Sequence, residues 1–195
     1  MHARIKLWSV GGFTLLEVLI AVFVLAVGIV GGVSMQLAAM RARHQSSLLA
    51  QASMLATGVA ERLRANRSQL QLPDGANPYL SLDYDVLDHP PPAPPAVLCY
   101  ADTCDATQLA RFDLYEIKIA LRANLPSGRV VICRDAGLWS GGTLLWPCSG
   151  GSSAPLVIKV GWRGKRADGT PQVDSAGQPV PGVALPVGAL PVGAL

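Results

Sequence analysis

Residues 11–36, GGFTLLEVLIAVFVLAVGIVGGVSMQ, decide how the rest of the chain is read. From Phe13 to Met35 the side chains are almost all aliphatic, and Glu17 is the only charged residue among them. At about 1.5 Å per residue, a helix of that length covers roughly 34 Å, enough for a hydrocarbon core of about 30 Å. A cleaved secretory signal has a shorter apolar run, about 7–15 residues, ending at a small-residue cleavage site. Here the run is longer and continues into helix-compatible sequence. Positive charge does not set the orientation, because Arg4 and Lys6 before the span balance Arg41 and Arg43 after it.

Glu17 needs an account, since an acidic side chain at the centre of a span costs about 2.5–3.5 kcal/mol and less near its end. A carboxylate that stays hydrated at the interface is one explanation. The other follows if the chain is cut after Gly12: the new amine on Phe13 then lies one helical turn from Glu17 and supplies a counter-charge. In an assembly that amine can come from a neighbouring subunit.

Gly11-Gly12 followed by FTLLEVLIA (Phe13 to Ala21) resembles the class III leader of type IV prepilins: a short basic leader, Gly directly before Phe, and Glu at the fifth position of one apolar helix. The resemblance implies that the membrane aspartyl prepilin peptidase cleaves between Gly12 and Phe13 and N-methylates Phe13. It also implies that Glu17 serves assembly by charge pairing. The leader then stays cytoplasmic and the rest faces the periplasm. Without Arg4 and Lys6 the net charge falls from +3 to about +1. The continuation LAVGIVGGVSMQ (Leu25 to Gln36), with CDATQLARFDLYEIKIALRANLPSGRVVIC (Cys104 to Cys133), is similar to the minor pilins of the type IV pilus modification protein PilV family. Gly28 and Gly32 form a GxxxG pair that allows close helix approach, or are ordinary span glycines. Gly31-Gly32 marks a soft point in the helix.

No proline occurs before Pro73, so one helix is predicted from about Phe13 to Leu70. Leu48, Ala52, Leu55, Val59 and Leu63 form a stripe at helical spacing, and that stripe requires a sheet across it. Residues 73–98 read as a connector, with turn residues Pro73, Asp74, Gly75, Asn77 and Pro78, then a stiff Pro90-Pro91-Pro92-Ala93-Pro94-Pro95 spacer. Asp105 with Gln108 predicts a capping box opening a helix that stops at Pro126-Ser127-Gly128. Strands are predicted at 129–134 and 156–163, the second alternating Leu156, Ile158, Val160 and Trp162 on one face. The end of the chain carries PGVAL and then PVGAL twice (Pro186 to Leu195). Proline every five residues forbids a helix there, leaving a flexible tail or an extended arm on a sheet edge.

The expected division is a leader at 1–12, a transmembrane half-helix at 13–35, an amphipathic half at 36–72, a head at 73–163 and a flexible tail at 164–195. The fold class is α+β: a long N-terminal helix packed on a small antiparallel sheet, with a second helix and disulfide-bonded loops. As the family resemblance implies, this is a type IV pilin-like layout.

Cys99, Cys104, Cys133 and Cys148 all follow the span, and an even count in an oxidising compartment reads as two disulfides. Three pairings are possible. Nearest-neighbour pairing closes short loops beside turn-prone residues and is preferred over one that crosses between the loops. A zinc site fits poorly, because structural zinc ligands come in pairs about two to four residues apart. No GxSxG, SxxK, HExxH or GxxxxGK[ST] pattern occurs. His44 and His89 read as solvated, Asp83, Asp85 and Asp88 as a solvated turn without the Gly and Glu of a calcium loop, and Asn66-Arg67-Ser68 as a chance glycosylation pattern inside a helix. With 16 basic against 13 acidic residues and no dense basic run, no nucleic-acid partner is expected. Neither a cofactor nor an enzymatic activity is expected.

The resemblance therefore implies a minor pilin of the tip or priming complex, supporting pilus assembly, adhesion and twitching motility. Its implied partners are the prepilin peptidase, other minor pilins, the major pilin, a tip adhesin and the inner-membrane assembly platform. Before assembly it would be a single-pass inner-membrane protein with its head in the periplasm; afterwards it would lie in the pilus at the cell surface. The alternatives are a pseudopilin of a type II secretion system, a single-span membrane-anchored periplasmic enzyme or receptor, and a DNA-uptake pilin, for which a basic head is expected.

Overall fold

Helix α1 runs from Leu15 to Ala65, and helix α2, Arg67–Leu70, adds one turn after a break at Asn66. The computed structural model describes residues 12–165, 169–173 and 179–187. The helix is unbroken through Gly31-Gly32, where the Ser34 hydroxyl donates to the Gly31 carbonyl at 2.7 Å. Two compact units divide the chain, 1–40 and 41–195. In the first, every described side chain is exposed, as expected of a surface whose partner is lipid or another protein. Among the described residues α1 is the one helix long and apolar enough to cross a membrane.

The second unit is built on the predicted stripe. Leu48, Ala52, Val59 and Leu63 are buried, joined by Ala56 and Ala60, while Leu55 is half-buried. Small alanines on this face let another element approach closely. Helix α3, Ala106–Asn124, packs with it into the same core through Ala110, Ile117 and Leu121. It begins at the predicted capping box: Asp105 accepts from the N–H groups of Thr107 and Gln108, and the Gln108 side chain accepts from the Asp105 N–H at 2.9 Å. It ends before Pro126, where Gly128 lies so close to Leu121 that a Cβ there would stand 2.9 Å from its side chain.

An antiparallel sheet covers the helices, in the order β1 (Asp83–Asp85), β2 (Arg129–Arg134), β5 (Leu156–Gly161) and β6 (Pro181–Val187). A separate hairpin joins β3 (Trp139–Ser140) to β4 (Thr143–Leu144) through Gly141 and Gly142, both at positive φ. Three expectations need correction. The stretch 73–98 is more than a connector: it contributes the edge strand β1 and a 3₁₀ turn, Pro78–Ser81, whose Tyr79 is fully buried. The head does not end at 163, because β6, from the segment read as a tail, pairs with β5 along its length. That places Pro181–Val187 as the arm on a sheet edge; residues 188–195 lie outside the described residues.

Thirdly, the strand predicted at 156–163 ends at Gly161, while its apolar face stands as predicted and the opposite face is buried as well. Leu156, Ile158 and Val160 enter the helix-side core, but Val157 and Lys159 on the other face are also fully buried. The loop between β2 and β5 folds over that face. Trp146 lies against Gly161, where a Cβ would stand 2.6 Å from its ring, and the Arg129 guanidinium stacks 4.7 Å from the Trp146 ring centre.

Candidate functional site at the start of the long helix

Gly12, Phe13 and Thr14 precede α1, and no regular secondary structure holds them. The peptide bond between Gly12 and Phe13 thus lies in accessible chain outside any helix or strand, with Phe13 82% exposed and open space where a Gly12 side chain would be. This is the form in which a protease takes a backbone, since helix would have to unwind first. The helix start is fixed immediately afterwards. Thr14 accepts from the Glu17 N–H at its hydroxyl, 3.3 Å, and at its carbonyl, 3.1 Å. Thr14-Leu15-Leu16-Glu17 has the T-x-x-E spacing of a capping box, a signal in plain view that the charge argument passed over.

Glu17 thus stands at the start of α1. Its carboxylate sits in the first turn, where the helix dipole favours negative charge, and it lies four residues from Phe13 along the chain. Gly28 and Gly32 face open space, as does Gly31, so their surface is available for close approach by another helix.

The remaining candidates divide into structural groups. Cys99 pairs with Cys104 and Cys133 with Cys148, the nearest-neighbour arrangement. His44 and His89 are exposed. Asp83 forms a bidentate ion pair with Arg129, at 2.8 and 2.9 Å, which raises the arginine's proton affinity, and Asp85 caps its own turn by accepting from the Leu87 N–H. Among the described residues no three His, Cys, Asp or Glu side chains converge on a common point. Asn66 is buried, its amide nitrogen donating to the Ala106 carbonyl at 2.7 Å and the Tyr79 hydroxyl at 3.2 Å, so it presents no free acceptor nitrogen for a glycan.

Two buried polar clusters were not legible as sites. In the first, Tyr79 donates to Asp113 at 2.7 Å while Arg62 donates to the other Asp113 oxygen at 2.8 Å, tying α1, the 3₁₀ turn and α3 together. Burial, then the hydrogen bond to Asp113, pushes the Tyr79 hydroxyl well above its ordinary range. In the second, the fully buried Lys159 ammonium donates to the carbonyls of Leu145, Trp146 and Pro147 and pairs with the fully buried Asp135 carboxylate. Burial opposes the Asp135 charge, but Lys159 and the N–H groups of Gly137 and Ser149 outweigh it and hold the carboxyl well below the usual carboxylate range. Together with Cys133–Cys148, this cluster fastens the loop between β2 and β5 at both ends and in the middle. A groove of about 140 Å³ between α1 and α3 is lined mainly by apolar groups, Met54, Leu55, Gly58, Val59, Ile117 and Ala120, with Arg62 and Glu116 also on its walls.

A scan against protein-family models gives no match, and comparisons with curated proteins and with solved structures give none either. The functional argument rests on the residues themselves.

Proposed function

We propose that this chain is a minor pilin of a type IV pilus, of the kind the PilV family represents: a structural subunit of a tip or priming complex that supports pilus assembly, adhesion and twitching motility. The observation that carries the proposal is local. A glycine and a phenylalanine stand outside regular secondary structure directly before a helix whose first turn carries Glu17, the one charged residue from Phe13 to Met35. A peptidase reaching the Gly12–Phe13 amide from the membrane surface would find Gly12, Phe13 and Thr14 outside any helix. Hydrolysis would then free an amine at Phe13, and N-methylation would keep it cationic. In a filament that amine and the Glu17 carboxylate of a neighbour neutralise each other, which lets both enter an apolar core. The exposed apolar face of α1 is the surface that would pack there.

The proposed partners are the prepilin peptidase, other minor pilins, the major pilin, a tip adhesin and the inner-membrane assembly platform. The head would face the periplasm before assembly. Two disulfides suit that compartment.

The test is N-terminal peptide and intact-mass spectrometry of the membrane-expressed chain, with and without an active prepilin peptidase. A product starting at N-methyl-Phe13 is expected only with the peptidase. A Met1 start that persists beside active enzyme would sink the proposal and favour an anchored periplasmic protein. Glu17→Gln then separates charge pairing from a capping-box contact, because glutamine also suits the capping-box position but carries no charge. Cleavage should continue while incorporation into filaments falls as far as in Glu17→Ala; normal incorporation of Glu17→Gln assigns the residue to helix capping instead.

A further inference from the structure

The fold gathers basic residues that the sequence keeps apart. Gln45 on α1 donates to Gln172 at 2.9 Å, and the Gln172 N–H donates to the Gly164 carbonyl at 3.1 Å. A bridge between Lys165 and Pro171 closes the same turn. A Cβ on Gly164 would lie 3.1 Å from the Gln45 side-chain oxygen, and one on Gly169 would lie 3.6 Å from the Arg41 guanidinium. Gly164, Gly169 and Gln172 thus lie against the first turns of the packed half of α1. They bring Arg163 and Lys165, which flank Gly164, to the end of the head where Arg41 and Arg43 stand. All four are exposed, and among the described residues no carboxylate pairs with any of them. Arg166, Asp168 and Asp174 lie outside the described residues. Four positive charges at one end of a chain whose whole formal charge is +3 make a local patch that composition conceals.

We propose that Arg41, Arg43, Arg163 and Lys165 form a contact surface for the phosphate headgroups of anionic phospholipids. Arg41 follows Gln36, the end of the apolar run, by five residues. Five residues reach about 8 Å as helix and at most about 18 Å fully extended, so Arg41 stays within reach of the headgroup layer in either case. Arginines and a lysine near that layer attract anionic lipid, an interaction that salt screens. A nucleic acid is the poorer occupant: neither 36–60 nor 163–173 contains a Phe, Tyr or Trp on which a base could stack. The proposal rests on insertion of the apolar span in a bilayer and not on the pilus role.

The experiment reconstitutes the full chain into phosphatidylcholine vesicles carrying a small fraction of spin-labelled phosphatidylglycerol or spin-labelled phosphatidylcholine. The motionally restricted fraction of each label is read at low and high salt. The expected result is preferential association of phosphatidylglycerol that weakens with salt. A single Arg41→Gln change should lower the preference by up to about fivefold, and the fourfold Gln variant should abolish it. The fourfold Arg and Lys exchange, which keeps every charge, should restore it, and non-reducing peptide mapping checks that both disulfides persist. Equal association of the two labels, or an unchanged preference in the Gln variant, overturns the proposal while an alkaline carbonate wash that leaves the chain in the vesicles upholds the anchor. Release by carbonate overturns the anchor and the headgroup surface together. Retention of a double-stranded DNA fragment by these four residues, without headgroup preference, also overturns it and assigns the patch to nucleic acid.

Discussion

Between Leu15 and Met40 every side chain of α1 is exposed, whereas between Leu48 and Leu63 of the same helix six residues are buried against a sheet and a second helix. The two stretches are continuous in hydrogen bonding and opposite in what stabilises them. Among the described residues nothing packs on the first. The second carries its partners with it and reinforces them with two disulfides and two buried polar clusters. One helix is therefore half inside the fold of the head and half outside it. The residues proposed to act in processing and assembly lie in the half that the head does not bury.

The contrast is sharpest at Lys159. Lys159→Met leaves the Asp135 carboxylate buried without its partner, and the head should lose about 3–5 kcal/mol. Chemical denaturation of the full chain in detergent, followed by near-ultraviolet circular dichroism of the buried tryptophans, measures this. A loss below 1 kcal/mol would show that the loop carries its own order. The same pair gives a pH dependence. The Asp135 carboxyl is more acidic folded than unfolded, so its contribution is complete above the ordinary carboxylate pKa near 4 and is lost as pH falls toward the lower, folded value. The denaturation midpoint should drop on acidification in this chain, and that component of the drop should be missing in Asp135→Asn.

Removing Cys133–Cys148 by paired serine substitution should cost about 3 kcal/mol for a bridge between residues 15 apart, against about 2 kcal/mol for Cys99–Cys104, 5 apart. The same denaturation assay ranks them, and a reversed order would mean that Lys159 and Asp135 already fix the longer loop. Tyr79→Phe deprives buried Asp113 of one donor and should cost about 1–2 kcal/mol, less than either charge deletion. The other end of the scale is Leu19→Ala or Gly28→Ala, which should leave the head's midpoint unchanged within about 0.5 kcal/mol. In filament incorporation the ranking should invert, with the span substitutions outweighing Tyr79→Phe. A head destabilised by Leu19→Ala would break the division drawn above.

Where structure depends on neighbours in sequence, the chain could be read. The Asp105/Gln108 capping box, the proline-free run of α1, the strand at 129–134 and the nearest-neighbour disulfides, whose cysteines are 5 and 15 residues apart, all follow from contiguous sequence. Where it depends on distant partners, reading failed. Strand β1 is three residues long in proline-rich surroundings, and only β2 makes it a strand. Strand β6 contains Pro181 and Pro186, which an edge tolerates and an interior strand would not. Lys159 occupies an alternating position that normally faces water; the loop that buries it is charge-free from Ala136 to Pro155 and so advertises no partner. At the start of α1 the same rule explains both the success and the omission: the Gly12–Phe13 and Glu17 spacing is local, and so was the Thr14 cap that went unread.

The Trp162 ring is held between Gly164 and Gly182, where Cβ atoms would come within 2.7 and 2.4 Å of it. The pentapeptide that forms the edge strand reads Pro-Gly-Val-Ala-Leu, whereas both later copies read Pro-Val-Gly-Ala-Leu. Either later copy, slid into the same place, would set valine where Trp162 tolerates only glycine. The transposition of two adjacent residues thus acts as a spelling rule, allowing one of three nearly synonymous words to close the sheet.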